Sequence, residues 1–319
     1  MKRNFRDALG EAFVAMGEEF PQLVVVTADV SKSTRSIAFK ERYPSRFLSV
    51  GIAEANAIGI AAGISTLGGP VIFTAYAVFA TEKPFEQIRN MLCYPNLNVK
   101  IVATHGGISV GEDGVTHQAI EDVAIMRAIP NMKVLVAADP GEVKAALRTA
   151  LSTSGPVYVR LGRSDAEVLH PCADDVSFPL GKAEVLRDGT DVTLVGVGLL
   201  VDLCLKAAEE LQKASIDAAV INLRSVKPLD NETLVQYART TGALVVAEDH
   251  NRIGGAGGAI AECLVANWPV PMEQVALDDC FAESGDAILL YEKYGLTVGN
   301  IIAKAKRVIT RKFAGEVEK

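Results

Sequence analysis

The feature that most limits how this chain can fold is a set of short runs that are apolar nearly throughout, where a half-exposed strand would alternate. From residue 1 to about 165 these are LVVVTADV, RFLSVGI, PVIFTAY, VKIVATH, MKVLVAAD and PVYVRLG, with helical patterns such as Pro140–Leu151 between them. A strand that is apolar on both faces must be covered on both. Helices between successive strands achieve this when the strands run parallel, which predicts an α/β domain over residues 1–165. Residues 166–189 are richer in Asp, Pro and Gly with weak strand signals, and read as a linker carrying one hairpin at most. The alternation restarts with DVTLVGVG, DAAVINLR, ALVVAED and MEQVAL, with helices running to about Lys213, near Leu234, from Gly257 and from Val298. Residues 190–319 are therefore expected to form a second, smaller parallel-sheet α/β domain, and 49% hydrophobic content over 319 residues is enough for two cores.

A net charge of -7 and 6% aromatic residues argue against a nucleic-acid binder, which needs a basic face and exposed rings. Small anionic ligands stay open, since one or two arginines suffice. The five cysteines, Cys93, Cys172, Cys204, Cys263 and Cys280, show no CxxC pair and no histidine at ligand spacing. They read as buried thiols in a reducing compartment, with no resident metal site. The start, MKRNFRDALGEAF, reads as an amphipathic helix rather than a signal peptide, and no apolar run reaches the ~20 residues that span a bilayer. The expectation is a soluble, cytoplasmic protein without a membrane partner.

Open parallel sheets bind ligands beyond the carboxyl ends of their strands. In the first domain that rule selects Asp29–Ser33, Glu54, Phe73–Phe79, His105–His117 and Arg163. Glu54 opens the stretch GIAEANAIGIAAG, residues 51–63. One reading is a first-turn carboxylate favoured by the helix dipole. The other starts from Gly59 and Gly63, which with Ala57, Ile58, Ala61 and Ala62 let a second backbone approach and bury the helix. A buried carboxylate must be paired, protonated, or both in alternation, which suits sharing a proton with a bound heterocycle.

Phe73, Tyr76 and Phe79 are three apart, either as ordinary core rings or as an apolar slot for a planar ring. HGGISVGEDGVTHQ, residues 105–118, holds two of the chain's four histidines, His105 and His117, with Glu112, Asp113 and four glycines. So polar and glycine-rich a loop after a buried strand is costly for stability, which is the usual mark of a site. Arg163 and Arg6 are candidates for holding a phosphate, with Arg35, Arg89 and Arg160 as rivals. Two motifs read as decoys. GGAGGAIAE (Gly254–Glu262) lacks the third glycine of a dinucleotide fingerprint, and GDA at Gly285–Ala287 lacks the following Asn of a metal-diphosphate motif.

Taken together, GIAEANAIGIAAG, the Phe73/Tyr76/Phe79 series, GEDGVTHQAIEDVAIMRAIPNMKVLVAAD and the late SVKPLD resemble the carboxyl-terminal portion of transketolase, a thiamine-diphosphate enzyme. The resemblance covers essentially the whole chain, as a pyrimidine-binding domain followed by the transketolase carboxyl-terminal domain. It implies that Glu54 hydrogen-bonds the cofactor's aminopyrimidine and so promotes ylide formation. It also implies that Phe73, Tyr76 and Phe79 surround that ring, with Asp29 near the thiazolium. By the same resemblance His105, Asp113 and His117 contact substrate hydroxyls and move protons, while Arg6, Ser33 and Arg163 grip the sugar phosphate. Two departures stand out: Gly106 where an Asp commonly follows the histidine, and AEA where basic residues often flank the glutamate.

Members of this family hold the diphosphate through a metal on a GDG...N motif in an amino-terminal domain, and this sequence contains no such motif. The resemblance therefore implies a split enzyme. An amino-terminal subunit would carry Mg2+ (or Ca2+) and the diphosphate, with the active site at the seam of an α2β2 assembly. The implied reaction is transfer of a two-carbon ketol unit between sugar phosphates, within the pentose phosphate route or a catabolic branch. The alternatives are the β subunit of a 2-oxo-acid dehydrogenase, a 1-deoxyxylulose-5-phosphate-synthase-like enzyme, and a non-catalytic assembly partner.

Overall fold

The computed structural model describes residues 1–317 apart from Asp174. Asp174 in the expected linker, and Glu318 and Lys319 at the end of the expected second domain, lie outside the described residues. The strands of the first half are β1 (Lys2–Asn4), β2 (Val24–Thr27), β3 (Phe47–Ser49), β4 (Val71–Tyr76), β5 (Val99–Thr104), β6 (Lys133–Val136), β7 (Val157–Arg160) and β8 (Asp165–Glu167). Those of the second half are β9 (Glu184–Arg187), β10 (Val192–Val197), β11 (Ala218–Asn222), β12 (Ser225–Lys227), β13 (Leu244–Asn251) and β14 (Met272–Leu277). The helices are α1 (Phe5–Glu19), α2 (Ile37–Arg42), α3 (Glu54–Ser65), α4 (Ala77–Thr81), α5 (Phe85–Gln87), α6 (Asp122–Ala128), α7 (Val143–Ser152), α8 (Leu200–Lys213), α9 (Asn231–Thr241), α10 (Ala256–Asn267), α11 (Ala287–Lys293) and α12 (Val298–Val317).

The first sheet runs β12-β6-β7-β5-β4-β2-β3 and the second β14-β13-β10-β11-β9. Both are parallel except at one edge, where β12 and β9 enter antiparallel. The fold class is α/β with two sheets, as the continuous apolar runs required: every residue of β5, β7, β10 and β11 is buried. Two details differ from expectation. The first sheet borrows β12 from the second half, so its edge is finished by chain that belongs by sequence to the other unit. The expected linker hairpin does not form; β8 pairs with β1 and β9 joins the second sheet. Short edge strands carry too few apolar residues to be told from loop by periodicity.

Local signals explain the element ends. The Asn4 side chain caps α1 by accepting from the Arg6 amide at 2.9 Å, displacing the expected all-helical start by a short strand. Asp230 caps α9 through Thr233, and Gly242 ends it in the left-handed conformation. The decoy motifs are structural too. Asp286 caps α11 through the amides of Ile288 and Leu289, and Glu248 accepts from Ala256 and Gly257 at the start of α10. Cys172 and Cys280 are exposed, contrary to the expectation of buried thiols, because both stand on loops between elements. Among the described residues no helix is long and apolar enough to cross a membrane.

The two units are joined by an ion cluster around His170. Its Nδ1 lies 2.9 Å from Asp139 and its Nε2 3.0 Å from Glu184, while Arg224 binds both Glu142 at 2.5 Å and Glu184 at 2.7 Å. Asp139 and Glu142 belong to the first domain, His170 and Glu184 to the expected linker, where Glu184 opens β9 of the second sheet, and Arg224 to the second half. Asp139, Glu142 and His170 have a metal-like spacing, but the Arg224 guanidinium already occupies Glu142, which makes this an ion-pair cluster. Burial alone would lower the His170 pKa, but the bonds to Asp139 and Glu184 and the charge of Glu142 push it up to about 10. The folded chain thus holds a proton that the unfolded chain, titrating near 6.5, releases. The stabilisation is complete below about pH 6.5 and is lost as pH rises toward 10. Thermal melts from pH 6.5 to 10 should show a steeper fall in Tm for the native chain than for His170→Gln; parallel curves would refute this stabilisation by His170.

Candidate active site

Glu54 opens α3, beyond the short turn that leaves β3. Only 4% of the residue is exposed, so the reading of a buried carboxylate holds. Its partner is Lys83, whose Nζ lies 2.6 Å from Oε2 and whose side chain is 50% exposed. Lys83 was missed in the sequence, where a lone lysine in the turn after α4 has no periodicity or motif to mark it. The expected close approach at the glycines does not occur within this chain. A Cβ at Gly63 would meet nothing within 4 Å and one at Gly59 only the Met91 sulfur at 3.8 Å. The helix buries Ala57, Ile58, Ala61 and Ala62 instead and turns its glycine face outward.

The Lys83 ammonium also stands 5.4 Å from the Phe79 ring centroid, and that ring opens an aromatic wall. Phe79 lies 5.8 Å from Tyr76 and 5.1 Å from His117, and Tyr76 stacks on His105 at 3.9 Å. Glu54, Lys83, Phe79, Tyr76, His117 and His105 thus form one contiguous chain of contacts at the carboxyl edge of the first sheet. Phe73 is not part of it. It is fully buried in the core with Ala57, Ile58 and Ala61, because three residues along a strand reverses the facing of the side chain. Tyr76 and Phe79 stand in the wall beside the histidines, while Phe73 packs as an ordinary core ring.

His105 is buried and held at φ 67, a left-handed conformation unusual for a side chain larger than glycine. Its Nδ1 pairs with the Thr104 hydroxyl at 2.7 Å. Burial, then the charges of Arg163, Arg6 and His117, push its pKa down to about 3. The ring is therefore neutral at working pH, a hydrogen-bonding group rather than one that titrates near neutrality. The same influence brings Arg6 and Arg163 to this corner, as the phosphate reading needs. Arg163 bonds the Val110 carbonyl and lies 3.6 Å from Asp113, so it is partly engaged by the loop it faces. Asp29 and Ser33 stand on the turn after β2 at the same edge, Asp29 exposed with φ 63, and neither bonds to the histidines among the described residues.

Of the rival arginines, Arg35 pairs with Asp7 and Arg89 bonds its neighbour Asn90. Arg160 is buried on Asp122 at 2.7 Å. It also explains the departure at Gly106, where a Cβ would come within 2.8 Å of the Arg160 guanidinium carbon. Sequence reasoning also missed Glu82, beside Lys83. Its carboxyl is pushed up to about 7 by burial and by the charges of Glu121 and Asp122, and a hydrogen bond to Glu121 adds to this. Cavities of about 440 Å³ beside His170 and about 340 Å³ beside Ser109 and Tyr291 are lined by neither Glu54 nor the two site histidines.

Comparison with known proteins matches residues 1–167 to the transketolase pyrimidine-binding domain and residues 181–301 to the transketolase C-terminal domain. The chain belongs to the transketolase family. It is 41% identical over 303 residues to a putative transketolase C-terminal section from Methanocaldococcus jannaschii, covering 95% of each chain. It is 40% identical over 307 residues to a 6-deoxy-6-sulfo-D-fructose transketolase subunit from Clostridium sp., covering 96% of this chain and 95% of that one. A solved structure described as split gene transketolase, inactive beta4 tetramer, superposes with TM-score 0.89 at 45% identity, over 97% of this chain and 99% of that one. The match to 1-deoxy-D-xylulose-5-phosphate synthase of Desulforudis audaxviator, 37% identical, covers 95% of this chain but 48% of that enzyme. Transketolase-family membership and the reading as the carboxyl-terminal subunit of a split transketolase accordingly stand, and the family implies thiamine-diphosphate dependence.

Proposed function

We propose that this chain supplies the pyrimidine side of a thiamine-diphosphate transketolase whose diphosphate and metal side is held by an amino-terminal subunit in an α2β2 assembly. The observation that carries the reading is a buried carboxylate, Glu54, whose counter-charge is a lysine half in solvent. Had that lysine been internal, the pair would be a fixed structural element. An ammonium that already reaches water is exchanged at small cost, leaving the Glu54 oxygen for a ring nitrogen.

The residues fit the pyrimidine half of the cofactor: a buried carboxylate and the Tyr76 and Phe79 rings. Thiamine diphosphate, when bound, supplies a thiazolium that accepts the electron pair of the cleaved ketose bond. This chain's share is then to hold or accept a proton at Glu54, to wall the ring with Tyr76 and Phe79, and to orient substrate hydroxyls. Neutral His105 donates or accepts a hydrogen bond without gaining charge; His117 and Asp113 stand on the same loop. Arg163 and Arg6 face a ketose with an anionic tail. A phosphate is the simplest case, and the relative named for a sulfonated fructose supports the class rather than one sugar. Mg2+ or Ca2+ belongs with the partner. The outward glycine face of α3, with Ile52 78% exposed nearby, supports a docking edge there, and the relative described as an inactive tetramer supports dependence on that partner.

Calorimetry and turnover test this together. The chain alone should bind thiamine diphosphate weakly, while its complex with the amino-terminal subunit and Mg2+ should bind it and convert xylulose 5-phosphate plus ribose 5-phosphate. Tight metal-dependent binding by the chain alone would overturn the split site. A complex inert toward these sugars but joining pyruvate to a triose phosphate would favour the synthase-like alternative.

A further inference from the structure

We propose that Asp249, in the second domain, is a positioning residue for the catalytic loop, its carboxylate clamping the backbone that sets the orientation of His105. The proposal rests on the transketolase reading of this site and adds to it a role for a domain that contributes no side chain to the aromatic wall. A non-glycine residue at φ 67 stores about 1–3 kcal/mol and persists only where its surroundings hold it. Four consecutive amides after His105 do so. Gly106 donates to the Leu161 carbonyl at 3.1 Å, Gly107 to that of Ala119 at 2.8 Å, Ile108 to Asp249 Oδ1 at 2.9 Å and Ser109 to Asp249 Oδ2 at 3.4 Å. The last two anchors come from β13, about 140 residues further along the chain.

Asp249 is itself fixed. It is 3% exposed, and Oδ2 also accepts from the Tyr291 hydroxyl at 2.7 Å. Tyr291 stands on α11, which packs against the turn over residues 108–113. The Arg160 guanidinium donates to the Asp249 carbonyl at 2.8 Å and to that of Ala119 at 3.1 Å, tying β13 to the far side of the loop. Gly107, at φ 79, fits this arrangement, because the Asp249 carboxylate fills the space a Cβ would need. Removing the carboxylate strands two buried amides, and the loop has no local replacement for them. The predicted result is a loosened His105 with the rest of both sheets intact.

The test uses Asp249→Asn, which keeps the shape but gives up one acceptor oxygen, and Tyr291→Phe, which removes one bond to the same carboxylate. By hydrogen exchange on the full chain, the amides of residues 106–110 should exchange about tenfold faster or more in Asp249→Asn, with β10 and β11 unchanged within about twofold. In the assembled enzyme kcat/KM for xylulose 5-phosphate should fall roughly 10- to 100-fold, mostly through KM, with the same pattern at smaller size in Tyr291→Phe. Unchanged loop exchange, or loop and sheet amides loosening together, would overturn the proposal. If Asp249→Asn does not fold, Tyr291→Phe decides by the same criteria. Glu54→Gln separates the two readings: full ketol transfer by that variant would sink the cofactor assignment while leaving a loosened loop in Asp249→Asn as evidence for the clamp.

Discussion

Glu54→Gln should lower ketol transfer by the assembled enzyme roughly 10³-fold, about 4 kcal/mol of barrier. The change is nearly isosteric, so it removes charge and proton affinity at one buried position with little packing cost. An amide cannot take the proton that a ring nitrogen would share with Oε2, and it offers no charge to Lys83. The result expected beside lost turnover is a chain that folds normally and assembles with its partner subunit, because Gln keeps the shape of the buried Glu54 and Lys83, half exposed, stays solvated without its partner's charge. Turnover by the Gln variant at the native rate would refute the assignment of Glu54. Lost assembly together with lost activity would instead give α3 a mainly structural role at the seam.

The largest effect on stability should come from Arg160→Leu, which is expected to lower the unfolding free energy by about 3–5 kcal/mol in urea titrations. Asp122 is fully buried, and its Oδ2 accepts from Arg160 Nε at 2.7 Å and from the Tyr158 hydroxyl at 2.5 Å. Its Oδ1 has no hydrogen-bond partner, so the guanidinium is what makes the burial of this charge tolerable. Adding Asp122→Asn to the Leu variant should recover part of the loss by removing the stranded charge. A cost below about 1 kcal/mol for Arg160→Leu would show that the pair is dispensable.

The two predictions fall on residues of unequal legibility. Glu54 could be found because a carboxylate beside a glycine- and alanine-rich helix conflicts with its surroundings, and such conflicts persist where chemistry needs them. The loop from His105 to Gln118 was marked in the same way. Lys83 and Asp249 carried no such signal. A lysine in a polar turn and an aspartate after an apolar run are ordinary in sequence, and each acquires meaning from a partner reached only through the fold: Glu54 across 29 positions, Ile108 across 141. Phe73 fails in the opposite sense, being aromatic and rightly spaced yet on the core face of its strand.

Periodicity and composition by themselves determined two parallel α/β sheets and their order along the chain, and they pointed to a candidate site at the carboxyl edge of the first. These follow from rules local to a few residues: which faces a run must bury, and where strands end. Only the tertiary structure decided the counter-ion of Glu54, the neutral state of His105, the strand β12 that the second half lends to the first sheet, and the bonds of Asp249 to the loop after His105. Each of these is set by desolvation and by charges brought together from distant segments, and a linear pattern does not encode that closeness.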